Sequence, residues 1–596
     1  MRSFLLVAAL TAAFPSSAQT TLQPEIVVTA TRRAQTVDDT LATVSVITRE
    51  DIARSQAPDL LTLLRGLPGV DLARTGGEGQ STSLFLRGSN SNQTLVLVDG
   101  VRIASANTGA AALEHLPLGQ VERIEIVRGP RAAWYGSDAI GGVIQVFTRR
   151  AAGAAAQFSA GRWGRLEGNV QWQGGDVRAG FGIGAGVADL DGFSARLPGA
   201  FGFDPDDDGY RNRNLLLRGH AELGAQRIGA RVLATRADID FDQGVSDNEA
   251  TSGALDVEGA IGAGWRQRAV LGFHRESLAT PVFESEFLTR RSSLDWTFDR
   301  DLGSAASLVA GLNWQRERGE SLATGDGGAT CTYCVSRRNL GFFASAQGAA
   351  GALDWQVATR HDDDSSFGGA GTGQAALGWR ASESVRIFAS WGEGFRAPNL
   401  NELYSPGFGG FFAGNPALDP ERSRSVEAGI DLGFGAHRLG ARAFRTRVRD
   451  LIAFQGGETF QAVNVARAAL DGVELAWEWR AADWRLDASA TWQDPRDETT
   501  DLDLLRRPAR KAAFGAERTF GAWSAGAGLQ YASSRRDFGG DLDAYALLDL
   551  RLARELGGGW RIGARLDNAL DREYELARGF ATPARAWRLT IDWAQP

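Results

Sequence analysis

From about residue 155 onward the chain repeats one pattern, segments of roughly ten residues in which apolar and polar side chains alternate, divided by turns rich in Gly, Asp and Asn. Nothing else in the sequence limits the fold as tightly. Alternation with a period of two sorts side chains onto the two faces of a β-strand. In the last segment Trp587, Leu589, Ile591 and Trp593 fall on one face, and Arg588, Thr590 and Asp592 on the other. Earlier, Val385, Ile387, Ala389 and Trp391 alternate with Arg386, Phe388 and Ser390. A polar face suits a wet lumen, and an apolar face with Trp at its end suits lipid and the interfacial girdle. A soluble β-sandwich also alternates, so scale decides. About 440 residues at ~20 per strand and connection predict 22 strands, the size of a plugged antiparallel transmembrane barrel. A sandwich of that size would be unusual.

The region before the barrel reads differently. Arg2, the apolar run Phe4 to Ala13 and the small residues Ser16-Ser17-Ala18 form the three parts of a secretory signal, residues 1–18. Residues 19–36 form a tail, and 37–150 a compact α+β domain. In the latter Val44 to Ile47 reads as a strand, and Thr48 with Asp51 as a helix start. Leu60, Leu61 and Leu64 make one helical face, stopped by Gly66 and Pro68. Leu84 to Leu86, Leu95 to Val98 and Val121 to Val127 read as short strands. After the signal no apolar run reaches the ~18 residues of a spanning helix. A mean hydropathy of -0.21 is compatible with a barrel, because half of each strand faces the lumen. The net charge is -8 and no basic block points to nucleic acid.

Cys331 and Cys334 are the only cysteines, set as C-x-x-C in a polar stretch. In the cytosol such a pair could be a redox or zinc half-site. In an exported chain with no second Cys pair and five His, a local disulfide clipping a surface loop is expected. Asp204, Asp206, Asp208 and Gly209 have the D-x-D-x-D-G spacing of a calcium loop, but Leu215 stands where an EF-hand needs Glu. Ile26, Val27 and Val28 are β-prone and precede a polar stretch, so they can add as a strand to a partner sheet.

The stretch RGPRAAWYGSDAIGGVIQVF, residues 128–147, resembles the end of the plug domain of TonB-dependent outer-membrane receptors. The resemblance recurs in order in PEIVVTATR (24–32), in 63–102, in FRAPNLNELY (395–404), in GNPALDPERSRSVEAG (414–429) and in LDNALDREYE (566–575). Within that family the chain is most similar to the cobalamin (vitamin B12) transporters. The resemblance implies a 22-stranded barrel at 151–596, a plug at 37–150, and a TonB box at Glu25, Ile26, Val27, Val28, Thr29 and Ala30. It implies that plug Arg87 and Arg128 face Glu427 and Glu474 on the barrel wall. Ser81, Ser83, Asn90, Thr108 and Gly109 fall where such transporters touch cobalamin. Asp204, Asp206, Asp208, Phe241, Asp242 and Asp247 correspond to a cluster for one or two calcium ions, with Phe in place of the family's Tyr at 241. The implied partners are TonB with its ExbB/ExbD motor, a corrinoid and outer-membrane lipid, in a monomer with no organic cofactor and no catalysis. A ferric-siderophore receptor is the nearest alternative. A small enzymatic barrel or a passive porin fits less well, since neither needs a plug or a TonB box. The family usually ends on an aromatic residue, whereas Ala594, Gln595 and Pro596 follow Trp593 here.

Overall fold

The computed structural model describes residues 27–28, 31–33, 35–37, 39–150, 152–303, 305–325, 328–407, 411–455 and 460–595. The signal segment 1–18 and Glu25, Ile26, Thr29 and Ala30 lie outside the described residues. Twenty-two long antiparallel strands, from Gly153–Gly161 to Ala586–Ala594, form a closed barrel, with short pieces at Phe411–Ala413 and Leu502–Asp503 paired onto it. The first strand pairs with the last, so every ladder group finds a partner and no edge remains. Alternation decides which face is which. In the closing strand Trp587, Leu589 and Ile591 are 49, 55 and 46% exposed, while Arg588 and Thr590 are 8 and 5% exposed. The outward set meets lipid and the inward set meets the plug. No described helix is long and apolar enough to cross a membrane.

Connections at one end of the barrel are short, as at 176–178, 224–225 and 482–483. At the other end they include the long segments 191–209, 397–420 and 568–585. Short turns mark the periplasmic end of such barrels and long loops the outer end.

Residues 44–148 fill the lumen. Strands Val44–Ile47, Val121–Arg128, Gly142–Thr148, Thr94–Val98 and Val101–Arg102 form one sheet in that order, with Thr94–Val98 parallel to Gly142–Thr148. Gly142 has φ of +150°, and a Cβ there would stand 2.1 Å from the Val127 carbonyl oxygen, so the two strands meet only over glycine. The core of Leu60, Leu61, Leu64, Ile124, Ile126 and Ile144 continues into Leu216 and Leu233 of the wall. Plug and barrel therefore share buried apolar surface. The helical segment is broken in two. Thr48 and Asp51 cap Arg49–Ser55 reciprocally. Gln56 then turns left-handed and Pro58 bars continuation, so Asp59 caps a second helix, Leu60–Leu64.

Candidate functional site

The hairpin Val70–Arg74/Thr82–Leu86 carries the main junction between plug and wall. At its corner Arg87 and Gly88 both take positive φ, 53° and 79°. That turn aims the Arg87 guanidinium at the wall. Its Nε and Nη2 each donate to Glu474 at 2.9 Å, and Nη1 and Nη2 donate to Glu427 at 3.1 Å. The ring of Phe444, on the strand between the two acids, lies 4.5 Å beneath it. All three charges are buried. Burial lowers the Arg87 pKa, but the two carboxylates outweigh it and hold the guanidinium above its ordinary value. Gly69 is required alongside, because a Cβ there would fall 2.1 Å from Glu474 Oε1.

Arg128 departs from the expected pairing. It is 1% exposed and donates inside the plug, to the Pro68 carbonyl and to Ser45 Oγ, each at 2.9 Å. The Arg87 fork has taken both acids, and Arg128 braces the turn behind it.

The apex loops are held by residues that the sequence reading did not single out. Ser81 and Thr108 are exposed, and Ser83, Asn90 and Gly109 are half-buried. Arg507, in the loop before strand Arg510–Phe520, stacks 3.9 Å over Phe85, donates to the Gly88 carbonyl at 3.2 Å and reaches Asn90 Oδ1. Asn399 Nδ2 donates to the Thr108 carbonyl at 2.9 Å, and the N–H groups of Leu400 and Asn401 donate to Ala106 and Asn107 at 3.0 Å. Arg291, bonded to Glu317, donates to the Ala104 carbonyl at 2.8 Å. Arg291 and Glu317 carry only the signal of an inward charged strand position, which every barrel strand shows, whereas Asn399, Leu400 and Asn401 fall in the motif at 395–404 and Arg507 in a loop.

Cys331 and Cys334 form a disulfide, placed at the start of strand Thr330–Ala350 rather than in a loop. The ladder slips one residue between Ser321 and Leu322, which leaves Thr332 as a bulge inside the disulfide ring. The clipped bulge turns Tyr333 into the lumen, 7% exposed. Its hydroxyl lies 3.0 Å from Asn107 Oδ1 and also meets Asn401 Oδ1, joining the apex loop to helix Leu400–Tyr404. Tyr333→Phe is expected to remove the one hydroxyl proton that the two amide oxygens share, at about 1–3 kcal/mol. Hydrogen exchange of residues 105–109 should speed up in that variant, and also in wild-type protein once the disulfide is reduced. Unchanged exchange in both would remove Tyr333 from this role.

The acidic loop is partly assembled. Asp208 and Asp242 are buried, and Asp204 and Asp206 are exposed. Asp242 Oδ1 accepts from the Asp204 N–H at 3.3 Å and Ser194 Oγ at 3.4 Å, and Arg196 stands 3.6 Å from its Oδ2. The Ala195 N–H donates to Asp208 Oδ2, while Asp208 Oδ1 is buried with no hydrogen-bond partner. Burial, with the charges of Asp242, Asp206 and Asp240, pushes Asp208 up to about 6 against the Ala195 bond. Asp247 is set apart, because strand pairing puts it across from Asp238. Phe241 packs toward Phe283, with ring centroids 6.1 Å apart. Among the described residues no three His, Cys, Asp or Glu side chains are gathered as a metal site. The loop touches the plug apex: Gly76 lies against Ala195, a Cβ there falling 2.7 Å from the Ala195 Cβ, and Gln80 Nε2 donates to the Asp240 carbonyl at 2.6 Å.

At the opposite end, Val27–Val28 pairs antiparallel with Gln35–Thr36. The arm that follows is tied to the wall. Arg32 pairs with Asp295 and lies 4.5 Å over the Tyr135 ring, Arg33 meets Asp301 at 2.6 Å, and Gln347 donates to Gln35 at 3.1 Å.

A closed membrane barrel, a wall-gripped domain in its lumen and a β-prone arm at the periplasmic end define a gated outer-membrane transporter. The chain matches the TonB-dependent receptor-like β-barrel family over residues 152–569 and the TonB-dependent receptor plug domain over 36–143. It belongs to the TonB-dependent receptor family of the bacterial outer membrane, whose members import small-molecule ligands in partnership with TonB. It is 29% identical over 605 residues, 95% of each chain, to the vitamin B12 transporter BtuB of Vibrio vulnificus (strain YJ016). Among solved structures, the siderophore receptor PirA of Acinetobacter baumannii superposes with a TM-score of 0.79 at 16% identity, over 92% of this chain and 98% of that one. The copper transporter OprC gives 0.78 at 17% identity, over 92% and 98%. At those identities the structures establish the shared fold and say nothing of cargo.

Proposed function

We propose that this protein imports a corrinoid, cobalamin or a close analogue, across the outer membrane as a monomer. Force would come through TonB and its ExbB/ExbD motor, acting on the box at Glu25 to Ala30. The observation that carries the reading is the likeness to a vitamin B12 transporter over 95% of both chains. Ser81, Ser83, Asn90, Thr108 and Gly109 would meet the ligand on the outer side of the plug. No bond is made or broken. Binding biases the plug toward release, and the pull on the arm completes it.

Calcium belongs to the same proposal. Asp208 Oδ1 is buried and short of a donor, with three further carboxylates close enough to raise its pKa. These carboxylates are not gathered in this structure, and closing of the loop would bring Asp206, Asp208, Asp240 and Asp242 together on a hard divalent cation. Asp204 could add its carbonyl or carboxylate, and Asp247 falls outside the set. Because the loop touches Gly76 and Gln80 of the apex, ordering it would favour ligand binding. By linkage calcium and corrinoid should each tighten the other by about 5–150-fold.

The sign of the pH effect follows from Asp208. Its pKa is raised from 3.8 to about 6, so the ordered loop binds the proton more tightly than the disordered one. Without calcium, loop order should weaken as pH rises from 3.8 to about 6 and stay weak above that. Calcium should cancel the loss, and its own affinity should fall as pH drops below about 6. The test is a titration of purified protein with cyanocobalamin and with a ferric siderophore, each with calcium and with chelator, across that pH range. Corrinoid binding that ignores calcium removes the cation and keeps the cargo. Binding of the siderophore alone removes the corrinoid.

A further inference from the structure

At the periplasmic mouth a cavity of about 130 Å³ separates the plug edge from the wall. Arg123, Phe147 and Arg150 line it from the plug side, and Arg218, Arg227, Arg231 and Arg268 from the barrel. Only two carboxylates, Asp256 and Glu258, share the lining. Asp256 is committed to Arg231, whose Nη2 also donates to the Asp99 carbonyl at 2.7 Å. Arg123 is committed to Glu125 at 2.8 Å and lies flat over the Phe147 ring at 3.9 Å. Arg218 donates to the carbonyls of Thr148 and Arg149. Glu258 stands across the ladder from both Arg227 and Arg268 and forms an ion pair with neither. The Arg150 backbone N–H donates to Glu122 Oε2 at 3.4 Å, but among the described residues the guanidinium groups of Arg150, Arg227 and Arg268 have no carboxylate within 4.0 Å, and Arg268 Nε is buried without a hydrogen-bond partner.

Two bodies thus present uncompensated guanidinium groups to each other across one gap. In a partly enclosed site such charges repel more strongly than in open water. An anion between them turns the repulsion into two attractions. Guanidinium forks match the oxygens of a phosphate group in pairs, and the cavity has room for a phosphate group at its open mouth. We infer that this mouth is a binding site for a phosphate-class anion that bridges Arg150 of the plug edge to Arg227 and Arg268 of the wall, with Arg123 and Arg218 adding positive charge alongside. The site stands apart from the ligand-facing apex and does not depend on which cargo is carried. Desolvation and the nearby Arg231, Arg123 and Arg268 lower the Arg150 pKa, with Asp99 opposing, as expected where positive charge is in excess.

The test uses full-length protein in detergent, titrated calorimetrically with inorganic phosphate and with adenosine monophosphate. Hydrogen exchange of strands Val121–Arg128 and Gly142–Thr148 is followed in parallel. Saturable binding that weakens with salt and slows exchange of those strands is expected. Equal binding of both compounds assigns the site to free phosphate, and binding of the nucleotide alone assigns it to a phosphate on an organic carrier. Arg227→Gln with Arg268→Gln removes two charge-assisted donors and should weaken binding at least about tenfold. The same double variant should slow exchange of the plug edge in phosphate-free buffer, because repulsion across the gap is reduced. A merely structural pair of arginines would give faster exchange there. No binding of either compound at millimolar concentration, binding indifferent to the double variant, or faster exchange in it overturns the site.

Discussion

Val28→Pro is expected to reduce TonB-driven uptake to background while ligand binding at the cell surface stays at its wild-type level. Val27–Val28 is already a strand, paired antiparallel with Gln35–Thr36. A partner that adds to it as a strand uses the same backbone groups. Proline removes the N–H at that position and sets its φ near -65°, away from extended pairing geometry. Val28→Ala keeps the N–H and should keep uptake, which separates a backbone effect from a side-chain one. The measurement is accumulation of labelled ligand in cells with and without a functional TonB system. Uptake at the wild-type rate in Val28→Pro would move the coupling segment elsewhere in the tail.

Arg87→Ala should loosen the plug more than any other single substitution at the junction. It leaves Glu427 and Glu474 buried, close together and without their shared counter-charge. Breaking a buried pair from one side costs about 3–5 kcal/mol, and two like charges then remain in the gap. Glu427→Ala with Glu474→Ala should act in the same direction by stranding Arg87. Arg128→Ala should cost less, because its partners are the Pro68 carbonyl and Ser45 Oγ and no carboxylate is stranded. Arg87→Lys keeps the charge but cannot reach both acids with a planar fork, so it should fall between the two. Leakage of a bulky antibiotic and hydrogen exchange of Val70–Arg74 and Thr82–Leu86 report the effect, and the heat-resistant mobility of the barrel on gels serves as a folding control. An order in which Arg128→Ala is the most disruptive would reject this account of the junction.

Most of the architecture is legible in the amino-acid pattern. Alternation at Trp587 to Trp593 and at Val385 to Trp391 is dictated by strand geometry, so it reports directly which side chains meet lipid. The Thr48–Asp51 cap is a local contact between residues three apart and is legible in the sequence, whereas the break of the helix at Gln56–Pro58 emerges only in the structure. The family motifs supplied the candidate residues but not their partners. Arg87 and Arg128 look alike in sequence, each an Arg-Gly corner, and only the Arg87 corner points its side chain at the wall. Asp247 and Asp242 are both loop-proximal acids in the sequence, and only strand register shows that Asp247 stands opposite Asp238.

The sequence by itself therefore determined what depends on periodicity and short range: the barrel class, the strand number, the lipid face, the plug's place in the chain and the β-prone arm. Tertiary structure alone decided what depends on contacts across hundreds of residues. It set the double grip of Glu427 and Glu474 on Arg87, 340 and 387 residues away. It set the clasp of Tyr333 on Asn107, 226 residues away, and the facing arginines at the periplasmic mouth. The physical reason is that each barrel strand offers inward polar side chains at every second position. Which of them meets the plug depends on the register of the closed sheet and on how the plug is turned within it, and no local pattern in the chain encodes either.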